Sequence, residues 1–113
     1  MTYIEMRNHW TIRAIDYQPI QSSLPDKQKR DLVKLFCERP FTDFEYEETL
    51  KTKGIQFHFA DFRKHVKAVD MDVLRAMMTS IVRRERFNEG LIEIAYLDGI
   101  LYEILKEIEE RIS

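Results

Sequence analysis

Arg75, Arg83, Arg84 and Arg86 are the side chains of this sequence best suited to gripping something outside it. A guanidinium is permanently charged and presents its donors as a planar fork, so it holds carboxylate or phosphate through paired, charge-assisted bonds. Arg75, Thr79, Arg83 and Arg86 follow one another at spacings of four, four and three, which lines them along one side of a helix. Val73, Leu74, Met77, Met78, Ile81 and Val82 make up the opposite, apolar side. With Glu89 close behind, Arg75, Arg83, Arg84 and Arg86 form the candidate binding set. The competing role is structural. Arginines in a last helical turn complement the helix dipole, and Glu85 and Glu89 stand close enough in sequence to pair with them. Exposed pairs of that kind contribute only about 0–1 kcal/mol each.

Other chemistries have weaker support. His58, Asp61 and His65 would share one side of a helix, but two histidines seven residues apart lack the spacing of zinc motifs, and no metal is expected. Cys37 ends the apolar run LVKLFC and reads as a buried, inert thiol. Thr79 and Ser80 sit mid-helix with no histidine nearby. Glu45, Glu47 and Glu48 read as a solvated face near a helix start. There is no Gly-rich phosphate loop. The sequence therefore offers no catalytic constellation and no cofactor site, and an enzyme is the least favoured class.

The elements that would position these residues are mostly helical. Trp10, Ile12 and Ala14 alternate with polar residues as in a short strand, so the first twenty residues read as an irregular or β-like arm, or a short helix. Ser23, Pro25 and Asp26 mark a helix start, Leu32, Val33, Leu35 and Phe36 its buried side, and Pro40 its end. Thr42 and Glu45 suggest a capping box for a helix over residues 43–53, burying Phe44 and Leu50 and ending at Gly54. Residues 55–69 carry both alternating and helical patterns, with a helix expected from about Ala60. Asp70 caps the clearest helix, residues 72–86. Phe87 precedes Asn88, a cap candidate, and is expected to staple onto Ile92 or a nearby core residue. Helices over residues 89–97 and 100–111 follow, with Gly90 and Gly99 at their ends. The predicted core is Leu74, Met78, Ile81, Ile92, Tyr96, Leu101, Ile104 and Leu105. The expected fold is all-α or nearly so, a compact bundle of about five to six short helices in one domain over residues 1–113.

Bulk properties narrow the class further. With 113 residues, 44% hydrophobic, the chain can bury one core, while a net charge of −2 gives no general pull towards nucleic acid. The charge is unevenly spread. Residues 55–86 carry seven Lys/Arg against four Asp/Glu, and residues 87–113 carry two against seven. Packing the two segments together, within one chain or between two, satisfies both. A single cysteine, and no apolar run of membrane-spanning or signal-peptide length, point to a cytoplasmic protein with no membrane role.

From Leu74 to Glu107 the chain resembles a family of small prokaryotic proteins of unknown function. The shared elements are Thr79-Ser80-Ile81-Val82 at a helix end, then Val82, Arg83, Arg86, Phe87, Glu89 and Gly90, a second glycine at Gly99, and an Ile/Leu-rich last helix. That family's last helix usually ends in basic residues, whereas Glu107, Glu109 and Glu110 make this one acidic. The resemblance implies a fold and a cellular class, and brings no activity, substrate or cofactor.

The expected function is that of a small interaction or regulatory module, of bacterial, phage or mobile-element type, binding another macromolecule, with an unidentified protein as the expected partner. A homodimer, with each acidic last helix against the other chain's arginine stripe, is expected alongside closure of the same contacts within one chain. The runner-up is a nucleic-acid-associated protein using the arginines. It is disfavoured because residues 89–97, where a recognition helix would lie, are acidic and would be repelled by a polyanion.

Overall fold

Asp70 has extended backbone and turns its carboxylate onto the Val73 N–H at 3.1 Å, which opens the central helix of the computed structural model. The structure describes residues 2–113. The central helix, α5 (Met71–Arg84), buries ten of its fourteen residues, so it is enclosed on nearly every side rather than laid on a surface. The other helices are α1 (Tyr3–His9), α2 (Asp26–Cys37), α3 (Tyr46–Thr52), α4 (Phe59–His65), α6 (Leu91–Asp98) and α7 (Ile100–Ile112), with a 3-10 turn at Ala14–Tyr17. Helices α2, α3, α6 and α7 pack on α5, while α1, the 3-10 turn and α4 pack on α7. All eight predicted core residues are 0–1% exposed. The three C-terminal helices lie where periodicity places them. Seven helices form instead of five to six because the N-terminal arm contributes α1, and no strand occurs among the described residues.

The caps depart from expectation, and the departures shape the surface. Helix α2 begins at Asp26 with Pro25 before it, and neither Pro25 nor Ser23 supplies a side-chain cap. Thr42 is no cap either. It is 3% exposed and its carbonyl and hydroxyl accept bonds from Arg75 and Arg83. Asp43 organises this corner instead, accepting from the Glu45 N–H at 2.9 Å and the Thr49 hydroxyl at 2.8 Å. An Asp that bonds to the backbone two residues on favours a turn over a helix. Helix α3 therefore starts three residues late, at Tyr46, and Phe44 falls in the turn, 66% exposed rather than buried. Cys37 is half-buried at the end of α2, not enclosed.

Asn88 does not cap α6. Gly90 occupies that position at φ 94°, a left-handed conformation that suits glycine, and carries no side chain to cap with. The carboxylate of Glu85 does the capping from the preceding turn, accepting from the N–H groups of Gly90 and Ile92, both at 2.8 Å. Burial works to raise the Glu85 carboxyl's pKa, but the two backbone bonds and nearby Lys29 outweigh it and hold it below the usual glutamate value. Gly99, at φ 93°, ends α6 and starts α7 in one residue.

The acidic C-terminal segment is satisfied largely within the chain. Arg63 on α4 pairs with Asp98 and Glu103, and its pKa is raised by its hydrogen bonds to Glu103 and then Asp98. Glu93 accepts from the Leu24 N–H, and Glu109 accepts from the Trp10 indole and the Ala14 N–H, both at 2.9 Å. Glu107 pairs with Arg111, whose guanidinium also donates to the Val69 carbonyl. The apolar residues of α7 are 0–4% exposed. That face and these charges find partners within one chain.

Candidate functional site

Arg75 is committed to the fold. Its Nε donates to the Phe41 carbonyl at 3.3 Å, one terminal nitrogen to the Thr42 carbonyl at 2.9 Å, and the other pairs with Asp72 at 3.0 Å. Thr79, one turn further, is fully buried and accepts the Asp43 N–H. Arg83 donates to the Thr42 hydroxyl at 3.3 Å. The stripe of Arg75, Thr79 and Arg83 thus faces the 41–44 turn and ties it to α5, rather than facing solvent. Neither Glu85 nor Glu89 pairs with an arginine among the described residues. Glu85 is spent on α6, with Lys29 as its ion-pair partner, and Glu89 is exposed.

At its C-terminal end the stripe reaches an open surface. Phe87 is 88% exposed, so the expected staple onto Ile92 does not form. The reason is the shifted start of α6. With Gly90 as the cap, Phe87 lies three residues ahead of it, held in a turn by its N–H to the Arg84 carbonyl. Phe44, Tyr46, Arg83, Arg86 and Phe87 together line a cleft of about 200 Å³. The guanidinium of Arg83 stands 5.6 Å from the centre of the Phe44 ring, and that of Arg39 stands 5.9 Å from it. Such contacts contribute about 0.5–1 kcal/mol each when exposed, enough to bias the orientation of the ring. Arg39 and Arg86 are exposed, and neither they nor Arg83 form an ion pair among the described residues. Two large exposed rings thus stand among three arginines that have no ion-pair partner among the described residues. Aromatic and arginine side chains are those that dominate binding energy at interfaces.

Arg84 points away from this face and stacks 4.0 Å over the Phe57 ring. Sequence reasoning found Arg83, Arg86 and Phe87 but missed Arg39 and Phe44. The signal for both was Asp43, a turn-former directly after Pro40, Phe41 and Thr42. On α4, Asp61 accepts the Gln56 N–H at 2.9 Å and lies 3.8 Å from His65, while His58 is exposed. Among the described residues no cluster of three His, Cys, Asp or Glu is arranged to hold a metal, and no helix is long and apolar enough to cross a membrane.

Fold and face together define a small all-helical protein with an exposed aromatic–arginine surface. The chain belongs to a family of unknown function, DUF6508, which it matches over residues 21–113. No curated protein and no solved structure matches it.

Proposed function

We propose that this protein is an interaction module that docks another protein through the face formed by Phe44, Phe87, Arg39, Arg83 and Arg86. The observation that carries the reading is the exposure of Phe87, 88%, beside Phe44, 66%, with the neighbouring guanidiniums free of acid partners. An exposed phenylalanine adds little to the stability of its own chain, and two in one place amount to an apolar patch of the kind that marks interaction surfaces. Glu45, next to Phe44, and Glu89, two residues after Phe87, are exposed and add acidic groups beside the guanidiniums, and mixed polar groups around aromatic anchors suit a protein partner.

Phe87→Ala should leave the melting temperature within a degree or two of the parent, since exposed substitutions shift stability by no more than about 0.5 kcal/mol. Phe44→Ala should cost at most about 1–2 kcal/mol, the sum of its two cation–π contacts. Each should remove the partner recovered by cross-linking and affinity capture from cells expressing the tagged protein. Recovery of the same partner with both phenylalanines replaced would refute the docking face. A second copy of the chain is one such partner, and sedimentation of the parent and of Phe87→Ala across a micromolar concentration series detects it.

A second reading has one observation in its favour: exposed rings beside guanidiniums also form a stacking platform for single-stranded nucleic acid. Fluorescence anisotropy with single- and double-stranded oligonucleotides tests it. On this reading binding weakens steeply with added salt and is lost in Phe44→Ala. No change in anisotropy at low salt eliminates it.

A further inference from the structure

Arg84 is a half-buried guanidinium that the fold holds against a ring and that has no hydrogen-bond or ion-pair partner among the described residues. Its Nε is closed off from solvent and meets no acceptor, it has no side-chain hydrogen bond, and no carboxylate lies within ion-pair distance. An arginine serving the fold would look like Arg75, with three partners. What positions Arg84 is the face of Phe57, 4.0 Å away. Stacking occupies the flat face of the guanidinium and, with Nε closed off, leaves the N–H groups of its two terminal nitrogens for whatever approaches that edge.

Arg84 lines a cleft of about 390 Å³ with Leu50, Ile55, Phe57, Lys51 and Glu47. Three of these are apolar, and Leu50 and Ile55 are core residues with only 4–5% exposure, so the floor is fixed. Gly54 completes the wall, and nothing lies within 4 Å of where its Cβ would be, so that side is open. The charges of Arg84, Lys51 and Glu47 leave one net positive charge. That suits a monoanion better than a phosphate dianion, which Glu47 would oppose. Binding sites with an apolar wall and a few placed polar groups are the common form of small-ligand site.

From this geometry we propose that the Arg84–Phe57 cleft is a receptor for a carboxylate carried on an apolar body, bound edge-on by the guanidinium with Lys51 alongside. The site is separate from the Phe44–Phe87 face and stands or falls independently of it. Two sources share the chemistry: a free small organic acid, or the C-terminal carboxylate of a protein ending in an apolar residue.

Amide NMR on the isotope-labelled protein decides the matter, with phenylacetate, its neutral analogue phenylacetamide, and an N-acetylated peptide ending in phenylalanine as probes. Phenylacetate should shift the amides of Gly54, Ile55 and Gln56 at millimolar concentration, and phenylacetamide should bind roughly tenfold more weakly, the loss of one charge-assisted bond. A peptide that binds more tightly than phenylacetate assigns the carboxylate to a protein terminus, and the reverse assigns it to a free acid. Arg84→Gln should abolish the shifts while keeping the dispersion of the parent spectrum. If that variant loses its dispersion, Arg84→Lys, which keeps the charge but not the fork, should still weaken binding several-fold. Equal shifts from acid and amide, shifts that map elsewhere, or full affinity in Arg84→Lys would each overturn the proposal.

Discussion

Leu105→Ala should lower the stability of this protein by about 2–5 kcal/mol, the range for truncating a fully buried leucine. Leu105 is 0% exposed and lies on the same side of α7 as Leu101, Ile104, Ile108 and Ile112, all of them buried. Helix α7 is packed by α1, α4, α5, α6 and the 3-10 turn, so it has little freedom to shift and fill the space left by the lost methyls. Such a shift is unfavourable in a close-packed interior, which argues for a residual cavity and the upper half of the range. Lys106→Ala, at the next position and exposed, should change stability by no more than about 0.5 kcal/mol. Urea unfolding of the two variants beside the parent makes the comparison. A Leu105→Ala cost as small as that of Lys106→Ala would mean that this face of α7 is not enclosed, and the packing described here would be wrong.

The same side chains explain why so much of the fold was legible in the sequence. Helices α5, α6 and α7 declare themselves by apolar residues three and four apart, because a helix enclosed by neighbours must place its buried side chains at that period. The order of charges also carried information. The basic segment does meet the acidic one within the chain, though through Arg63 to Asp98 and Glu103 rather than through the α5 stripe. The helix starts were less legible. Thr42 and Asn88 have the residue types of caps, but a cap depends on which side chain reaches the free N–H groups. At α6 that is Glu85, seven residues before the N–H of Ile92 that it bonds and invisible to a rule that looks one turn ahead. Both exposed phenylalanines follow from these local errors. A helix begun at residue 43 would bury Phe44, and one begun after Asn88 would staple Phe87. The late starts at Tyr46 and Leu91 turn both rings outward. The candidate docking face is therefore written in two caps that periodicity does not record, and Arg84 was visible only as one more charge in the candidate binding set.

Glu85 makes the second large expected effect, and it depends on pH. Its carboxylate accepts two backbone N–H groups at the start of α6 and has Lys29 at 3.4 Å. Two charge-assisted bonds to partly buried donors contribute together about 2–4 kcal/mol, so Glu85→Ala should destabilise the protein by about that amount at neutral pH. Its folded pKa lies below its unfolded one, since the backbone bonds and Lys29 outweigh the burial that would raise it. The direction then follows from proton linkage. Above the unfolded value the carboxylate is charged in both states and its full contribution is present. As pH falls through the unfolded and then the folded value, the unfolded state takes up the proton first and that contribution is lost. Parent stability should accordingly decline below the ordinary glutamate range, and the difference between parent and Glu85→Ala should narrow over the same interval. Glu85→Gln separates charge from geometry, since its amide oxygen still accepts one N–H but carries no charge and does not titrate. It should fall between the other two at neutral pH and show a shallower decline in acid. Urea midpoints of the three proteins across the acid range measure this directly. A constant gap between parent and Glu85→Ala down to strongly acidic pH would show that Glu85 caps α6 without its charge, and the depressed pKa would have to be abandoned.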